Sequence, residues 1–280
     1  MSTVCRISNE QTANSLNVSD TAPLVSVIMP TYNCGKYIAQ SVESVIAQTM
    51  TNWELIIIDD NGTDDTDEIV FGFQQRYPNK ITYIKMPQNG GPGAARTVGM
   101  RKAQGKYIAF LDSDDIWLPQ KLELQIGFMK KQGSVFSCTG YAQMDENGHR
   151  LASTRIPPRK TDYNKMLRLS DPIGNLTVMY DQEQLGKYEV PNIKKRNDFA
   201  LWLKILHDTP CCDGMREVLA VYRVRKNSVS ANKLALVQYH WKLYRDIEKL
   251  NLIKAIWAMG CWVLVKGLKI NKKGNEDLTS

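Results

Sequence analysis

The sequence predicts an α/β protein with a mostly parallel central sheet, helices on both faces and a helical C-terminal tail. Two observations predict it. In the first half, short, nearly continuous apolar runs alternate with helix-periodic segments, the pattern of parallel strands buried on both sides. The polar residues best suited to chemistry also sit where those runs end, beyond the carboxyl edge where open α/β sheets bind ligands.

The elements follow in order. Residues 1–22 are polar and lack periodicity, which predicts a disordered arm. "LVSVIMP" (Leu24–Pro30) is a β-branched run closed by Pro, a buried strand. "GKYIAQSVESVIAQT" places Ile38, Val42, Val45 and Ile46 on one helical face. "WELIIIDD" (Trp53–Asp60) is the second strand, with a turn and a helix near Asp67–Tyr77 after it. "ITYIKM" (Ile81–Met86) is the third strand. The loop "QNGGPG" leads into a helix ending at Gly105, and "KYIAFLD" is the fourth strand. The second half is less regular. "SVFSCTGYAQMDENGHRLAS" reads as a hairpin turning at Asn147–Gly148. "NDFALWLKILHD" is an amphipathic helix, "REVLAVYRV" a last strand, and the chain is helical from Leu234.

Composition narrows the function. The net charge is +7, and from Ala231 to Ser280 nine Lys/Arg face four Asp/Glu, +5 of that total. A basic tail predicts an anionic partner. The six cysteines form no CxxC pair and the three histidines lack metal-ligand spacing, which argues against structural zinc. The N-terminal stretch lacks a signal-peptide pattern, so a reduced, cytoplasmic protein is expected. The longest uncharged apolar run, Ala255–Val265, is shorter than the roughly 20 residues of a spanning helix.

"FLDSDD" (Phe110–Asp115) crowds three carboxylates at a strand end. If the chain stays extended, Asp112 and Asp114 share a face. Like charges so placed need a counter-ion, and Mg²⁺ or Mn²⁺ bridging to a substrate phosphate suits oxygen ligands. The competing reading is a turn before the helix "WLPQKLELQI", with Pro119 near its first position and Asp115 in turn or capping work. "IIIDDNGTDDT" carries the same choice between turn chemistry and a site. "GGPGAAR" is neither a P-loop nor a dinucleotide fingerprint. Its Arg96 suits a phosphate or the Asp cluster, or is an ordinary surface arginine. Asp198 precedes an amphipathic helix, as an N-cap or a general base.

Taken as an ordered set, "VSVIMPTYN", "ELIIIDDNGTDDT", "NGGPGAARTVGMRKAQGKYIAFLDSDDIWLP" and "NDFALWLK" resemble a family 2 glycosyltransferase of the GT-A fold, a Rossmann-like architecture. The likeness runs from Leu24 to Val224 and is strongest to bacterial transferases of O-antigen and other surface polysaccharides. It implies a domain over residues 23–230, with a nucleotide-sugar half (23–130) and an acceptor half (131–230), and a basic helical tail over 231–280. By position, Pro30, Thr31, Tyr32 and Asp60 would hold the nucleoside, and Arg96 would lie near the donor diphosphate. Asp112–Ser113–Asp114 would be the DxD motif, with Asp114 and Asp112 on Mn²⁺ or Mg²⁺, and Asp198 would be the base. Where the family often has Glu-Asp, this chain has Asn197–Asp198.

The resemblance implies inverting transfer of a hexose, glucose or galactose, from a UDP-sugar to an undecaprenyl-diphosphate-linked saccharide, forming a β-glycoside. The tail, with Trp241, Trp257 and Trp262 among lysines, reads as a peripheral anchor on the inner face of the bacterial cytoplasmic membrane. Its competing reading is a helix packed on the domain or on a dimer partner. Two rival functions are a sugar nucleotidyltransferase and a noncatalytic nucleotide- or nucleic-acid-binding module. The first lacks its basic Gly-rich N-terminal loop. No aromatic–basic stacking platform supports the second, so no nucleic-acid partner is expected. The sequence does not determine oligomeric state.

Overall fold

A computed structural model describes residues 22–168, 172–191, 193–225 and 233–267. The N-terminal arm expected over 1–22 falls almost wholly outside them. Four parallel strands form the first half of one sheet: β1 (Val25–Thr31), β2 (Trp53–Asp59), β3 (Ile81–Lys85) and β4 (Tyr107–Phe110), in the order β3-β2-β1-β4. Between them run α1 (Gly35–Ile46), α2 (Thr66–Arg76) and α3 (Pro92–Lys102). The third helix stops before the expected Gly105, because Ala103 leaves the helix at ψ 132°.

Next come β5 (Ile116–Trp117), α4 (Lys121–Gln132), β6 (Phe136–Met144) and β7 (Arg150–Arg155). The β6–β7 hairpin is antiparallel, and Gly148 takes φ 89° in its turn, as the Asn-Gly pair predicts. Beyond it lie β8 (Lys160–Thr161), α5 (Tyr163–Arg168), β9 (Met179–Asp181), α6 (Gln182–Leu185), α7 (Asn197–Asp208) and β10 (Cys212–Arg223). The sheet continues β4-β9-β6-β10-β5, with β6 and β10 parallel to each other and β9 antiparallel to both β4 and β6. Strands β5, β8 and β9 are two or three residues long, too short for a periodic signal in the sequence.

Both faces of the sheet are covered, which is why its strands read as unbroken apolar runs. Ile28, Ile56, Ile58, Ile108 and Phe110 face α3 and α7, with Trp202 edge-on to Phe110 at 5.3 Å. Val25, Val27, Met29, Leu55 and Ile57 face the other way, toward Val42 of α1, Val70 of α2 and Leu122 of α4. Strand β1 lies between β2 and β4, so the strand order reverses at its carboxyl end. A crevice is expected there.

After β10 the chain is described again from α8 (Lys233–Lys242), through a π-helical turn (Leu243–Ile247), to α9 (Leu252–Gly267). Ala255, Ala258 and Trp262 of α9 are buried against the domain.

Three local expectations change. The chain does not stay extended past Leu111: the Asp115 amide bonds the Asp112 carbonyl, closing a turn. Pro119 lies outside α4, whose cap position is Gln120, and Asp115 leads into β5 rather than capping a helix. Asp198 is not an N-cap, since α7 begins at Asn197 and Arg196 fills the cap position at φ 64°.

At the start of α4, Lys121 is fully buried, its ammonium nitrogen 3.8 Å from the centre of the Trp117 ring. It has no hydrogen-bond partner among the described residues. Burial alone pushes its pKa well below 10.5. The unfolded chain therefore binds a proton that the folded chain does not, so the contribution of Lys121 to stability rises with pH up to about 10.5. Lys121→Met, which removes the ionisable group, should raise Tm at pH 7, and its Tm advantage over the wild type should shrink as thermal unfolding is repeated toward pH 10.

Candidate active site

The first strand end supplies Thr31 and Tyr32. Pro30 lies one residue inward, buried in β1 beside Ile58 of β2. The Thr31 hydroxyl is buried without a hydrogen-bond partner among the described residues, and Tyr32 is about half exposed at 52%. An unpaired buried hydroxyl at a strand end marks a place where a ligand can supply the missing bond. Asn33 and Asn61, the residues that turn the chain after β1 and β2, both hold positive φ (48° and 62°). Asn tolerates this conformation because its side chain can bond locally.

The acidic loop after β2 divides by task. Asp59 accepts from the Gly62 amide and the Tyr83 hydroxyl. Asp60 accepts from the Gly90 and Gly91 amides, 2.7 Å each, fixing the loop before α3. Asp64 accepts from the Gly35 amide at the start of α1, where a helix N-terminus favours negative charge. Burial opposes the Asp64 carboxylate, yet hydrogen bonds from Thr66 and the Gly35 amide hold its pKa below the usual value. A Cβ on residue 35 would sit 1.8 Å from a side-chain oxygen of Asp65, so that carboxylate packs against the bare Gly35 backbone.

The turn after β4 sends its carboxylates to different partners. Asp112 accepts from Arg96 Nη2 at 2.6 Å and from the Asn175 amide at 3.0 Å. Asp114 pairs with Arg225 Nε at 2.9 Å. Asp115 is buried and accepts the Arg223 amide at 2.8 Å. Burial first, then the neighbouring Asp114 and Asp112, push its pKa well up. Burial also raises that of Asp114, offset in part by Arg225. Ser113 is buried, its hydroxyl bonded to the Cys34 thiol.

Arg96 ties this turn to the other half of the chain. Its Nη1 donates to Asn197 Oδ1 at 2.6 Å while Nη2 holds Asp112. The guanidinium is buried, 5% exposed, so it must have partners to remain there. Gly93 lets α3 pack closely here, since a Cβ would come within 3.3 Å of Asn197 and of Val190. Asp198, next to Asn197, is half-buried in the first turn of α7 and accepts the Phe199 amide at 2.8 Å. The fold thus brings Asp112 and the start of α7 to one guanidinium.

Sequence reasoning passed over Asn197, Asn175, Arg223 and Arg225. Asn197 was visible only as a missing Glu. The arginines were visible as "YRVR" ending the last strand, but nothing local tied them to Asp114 and Asp115.

Comparison with known proteins identifies the family. Residues 26–220 match the model of glycosyl transferase family 2, and the chain belongs to that family. It is 42% identical over 236 residues to TuaG of Bacillus subtilis (strain 168), a glycosyltransferase ascribed to teichuronic acid biosynthesis, covering 84% of this chain and 93% of that one. It is 34% identical over 247 residues to WfgD of Escherichia coli, named a UDP-Glc:alpha-D-GlcNAc-diphosphoundecaprenol beta-1,3-glucosyltransferase, covering 88% and 94%. Among solved structures, S. aureus TarS in complex with UDP superposes with TM-score 0.66 at 19% identity, over 91% of this chain and 75% of that one. The mannosyltransferase PcManGT from Pyrobaculum calidifontis, in complex with GDP-Man and Mn²⁺, gives 0.61 at 16%, over 86% and 73%. The fold is GT-A, and the chain is a glycosyltransferase.

The two short bonds of Arg96 yield a stability prediction. Lysine keeps the charge but cannot hold Asp112 and Asn197 together. Arg96→Lys should cost about 1–2 kcal/mol, read as a lower urea midpoint with unchanged slope.

Proposed function

We propose that this glycosyltransferase moves a hexose, glucose or galactose, from a UDP-sugar to an undecaprenyl-diphosphate-linked saccharide with inversion, forming a β-glycoside in O-antigen or related polysaccharide synthesis. The observation that carries the reading is the Arg96 bridge, which sets the DxD turn beside the helix bearing Asp198. The names of WfgD and of WfaP, another Escherichia coli glucosyltransferase, support the donor and acceptor class, because both specify UDP-Glc and alpha-D-GlcNAc-diphosphoundecaprenol.

Thr31 and Tyr32 line the nucleoside end. Asp60 keeps lone pairs for uracil or ribose beyond the two amides that it accepts. The donor set fits a hard divalent ion: Asp114 and Asp112 offer only oxygen, and both keep some exposure, 17% and 30%. No group of three His, Cys, Asp or Glu able to hold a metal occurs among the described residues. Two carboxylates with the remaining positions left to a diphosphate suit Mg²⁺ or Mn²⁺. When bound, such an ion would neutralise charge gathering on the departing UDP.

Asp198 takes the proton of the acceptor hydroxyl as that oxygen bonds to the anomeric carbon. The carbon–oxygen bond to UDP breaks on the opposite face, so an α-linked donor yields a β-glycoside. Such a positioned base contributes about 10²–10⁴-fold. Asp198→Asn should therefore bind UDP-sugar nearly as well as the wild type while turnover falls by about that factor. The assay is a UDP-sugar panel on lipid-diphosphate GlcNAc and GalNAc analogues, with Mn²⁺ or chelator, and the product anomer read by NMR. Wild-type turnover in Asp198→Asn would sink the base assignment; an α-linked product would sink inversion.

The acceptor's lipid places the enzyme at the inner face of the cytoplasmic membrane, and α9 supplies a face for it. No described helix is long and apolar enough to cross a membrane. Instead α9 has two faces. Ala255, Ala258 and Trp262 pack on the domain, while Ile253 (81% exposed), Ile256, Trp257, Val263 and Leu264 point outward. Lys254 stands in the same helix, Arg168 lies 5.9 Å from the Trp257 ring centre, and Trp241 and Lys242 line a groove with Met259 of α9. An apolar face rimmed by lysine and arginine suits an anionic bilayer surface. Deleting the tail would strip the domain of its own packing, so surface substitutions are the cleaner probe. Ile253→Ser, Ile256→Ser and Trp257→Ser together should abolish most flotation with anionic liposomes and leave Tm nearly unchanged. Undiminished flotation would reject this face.

A further inference from the structure

Two arginines at the end of β10 differ in how they are held. Arg223 is 3% exposed and anchored by groups that are not carboxylates of the DxD turn. Its Nε donates to the Asp114 carbonyl at 2.8 Å and its Nη2 to Gln40 at 2.7 Å, with its guanidinium 4.8 Å from the Tyr37 ring centre. Arg225 lies two residues on, with a third of its side chain exposed. Its one strong partner among the described residues is the Asp114 carboxylate, Nε to Oδ2 at 2.9 Å. Its other contacts are weak: the Cys34 sulfur at 3.9 Å and the Tyr37 ring at 5.7 Å.

We propose that Arg225 competes with the divalent cation for Asp114, and that the donor's diphosphate relieves the competition by giving the displaced guanidinium an anion to bind. The proposal rests on the reading of Asp114 as a metal ligand. Physically, a guanidinium bonded to a carboxylate lowers that carboxylate's affinity for a second cation and repels a divalent ion beside it. Displacing Arg225 without a new anion leaves its charge half desolvated. A diphosphate offers the bidentate acceptors that a guanidinium fits best. Only a partly exposed, singly tethered arginine can make this exchange. Arg223, locked on every side, cannot. Metal and nucleotide then bind cooperatively: each is weak alone, and each tightens the other by the same factor.

The test measures Mn²⁺ binding to the full chain, by electron paramagnetic resonance of the free ion, with and without UDP. In Arg225→Gln, Mn²⁺ alone should bind about tenfold tighter than in wild type, and the factor by which UDP tightens Mn²⁺ should shrink by about the same amount. Arg225→Lys, which keeps the charge but loses the fork, should shift both quantities in the same direction by less, and it carries the test if the Gln variant does not fold. Unchanged Mn²⁺ affinity, or unchanged coupling to UDP, in the folded variants would overturn the competition while leaving the metal assignment standing. Absence of Mn²⁺ binding in wild type even with UDP would overturn the metal assignment, and the competition with it.

Discussion

The site depends on one buried charge. A guanidinium taken out of water must be met by acceptors, or the fold loses several kcal/mol. Arg96 meets two, the carboxylate of Asp112 and the side-chain oxygen of Asn197. They come from opposite halves of the chain, one from the turn after β4 and one from the first residue of α7. Satisfying Arg96 therefore requires the turn after β4 and the helix carrying Asp198 to be docked in one arrangement. The Asn in place of Glu fits this role, because it still offers an acceptor to Arg96 while adding no second negative charge beside Asp112.

The same logic distributes the other carboxylates. An acidic strand end is unfavourable until each group has its own donor. Asp60 takes two loop amides, Asp64 the start of α1, Asp115 the backbone of Arg223, and Asp114 the partly exposed Arg225. Asp115 is buried, and its second oxygen has no hydrogen-bond partner among the described residues. Its role is to hold the turn against β10. Asp112 and Asp114 keep access to water and so are the pair able to meet a ligand.

Of the two readings of the tail, the structure shows packing on the domain. One side of α9 is core: Trp262 stacks against His240 at 4.5 Å, and Ala255 and Ala258 let the helix approach closely. The other side exposes isoleucine, tryptophan and leucine beyond what a soluble surface needs. Packing on the domain fixes the helix orientation, and that orientation determines which residues face outward.

The sequence by itself determined the class of fold, the four parallel strands and the Asn-Gly hairpin, and it singled out Asp112, Asp114 and Asp198 as candidates. Those signals are local: apolar runs, turn chemistry and an ordered set of motifs, each written in consecutive residues. Only the tertiary structure decided how the carboxylates are shared. Arg96 meets Asn197 across 101 residues, and Arg223 reaches Asp115 across 108. No periodicity or spacing encodes such pairings, because they arise from where the sheet brings strand ends together. For the same reason the two-residue strands, the turn closing at Asp112 and the division of α9 into two faces became visible only in the folded chain.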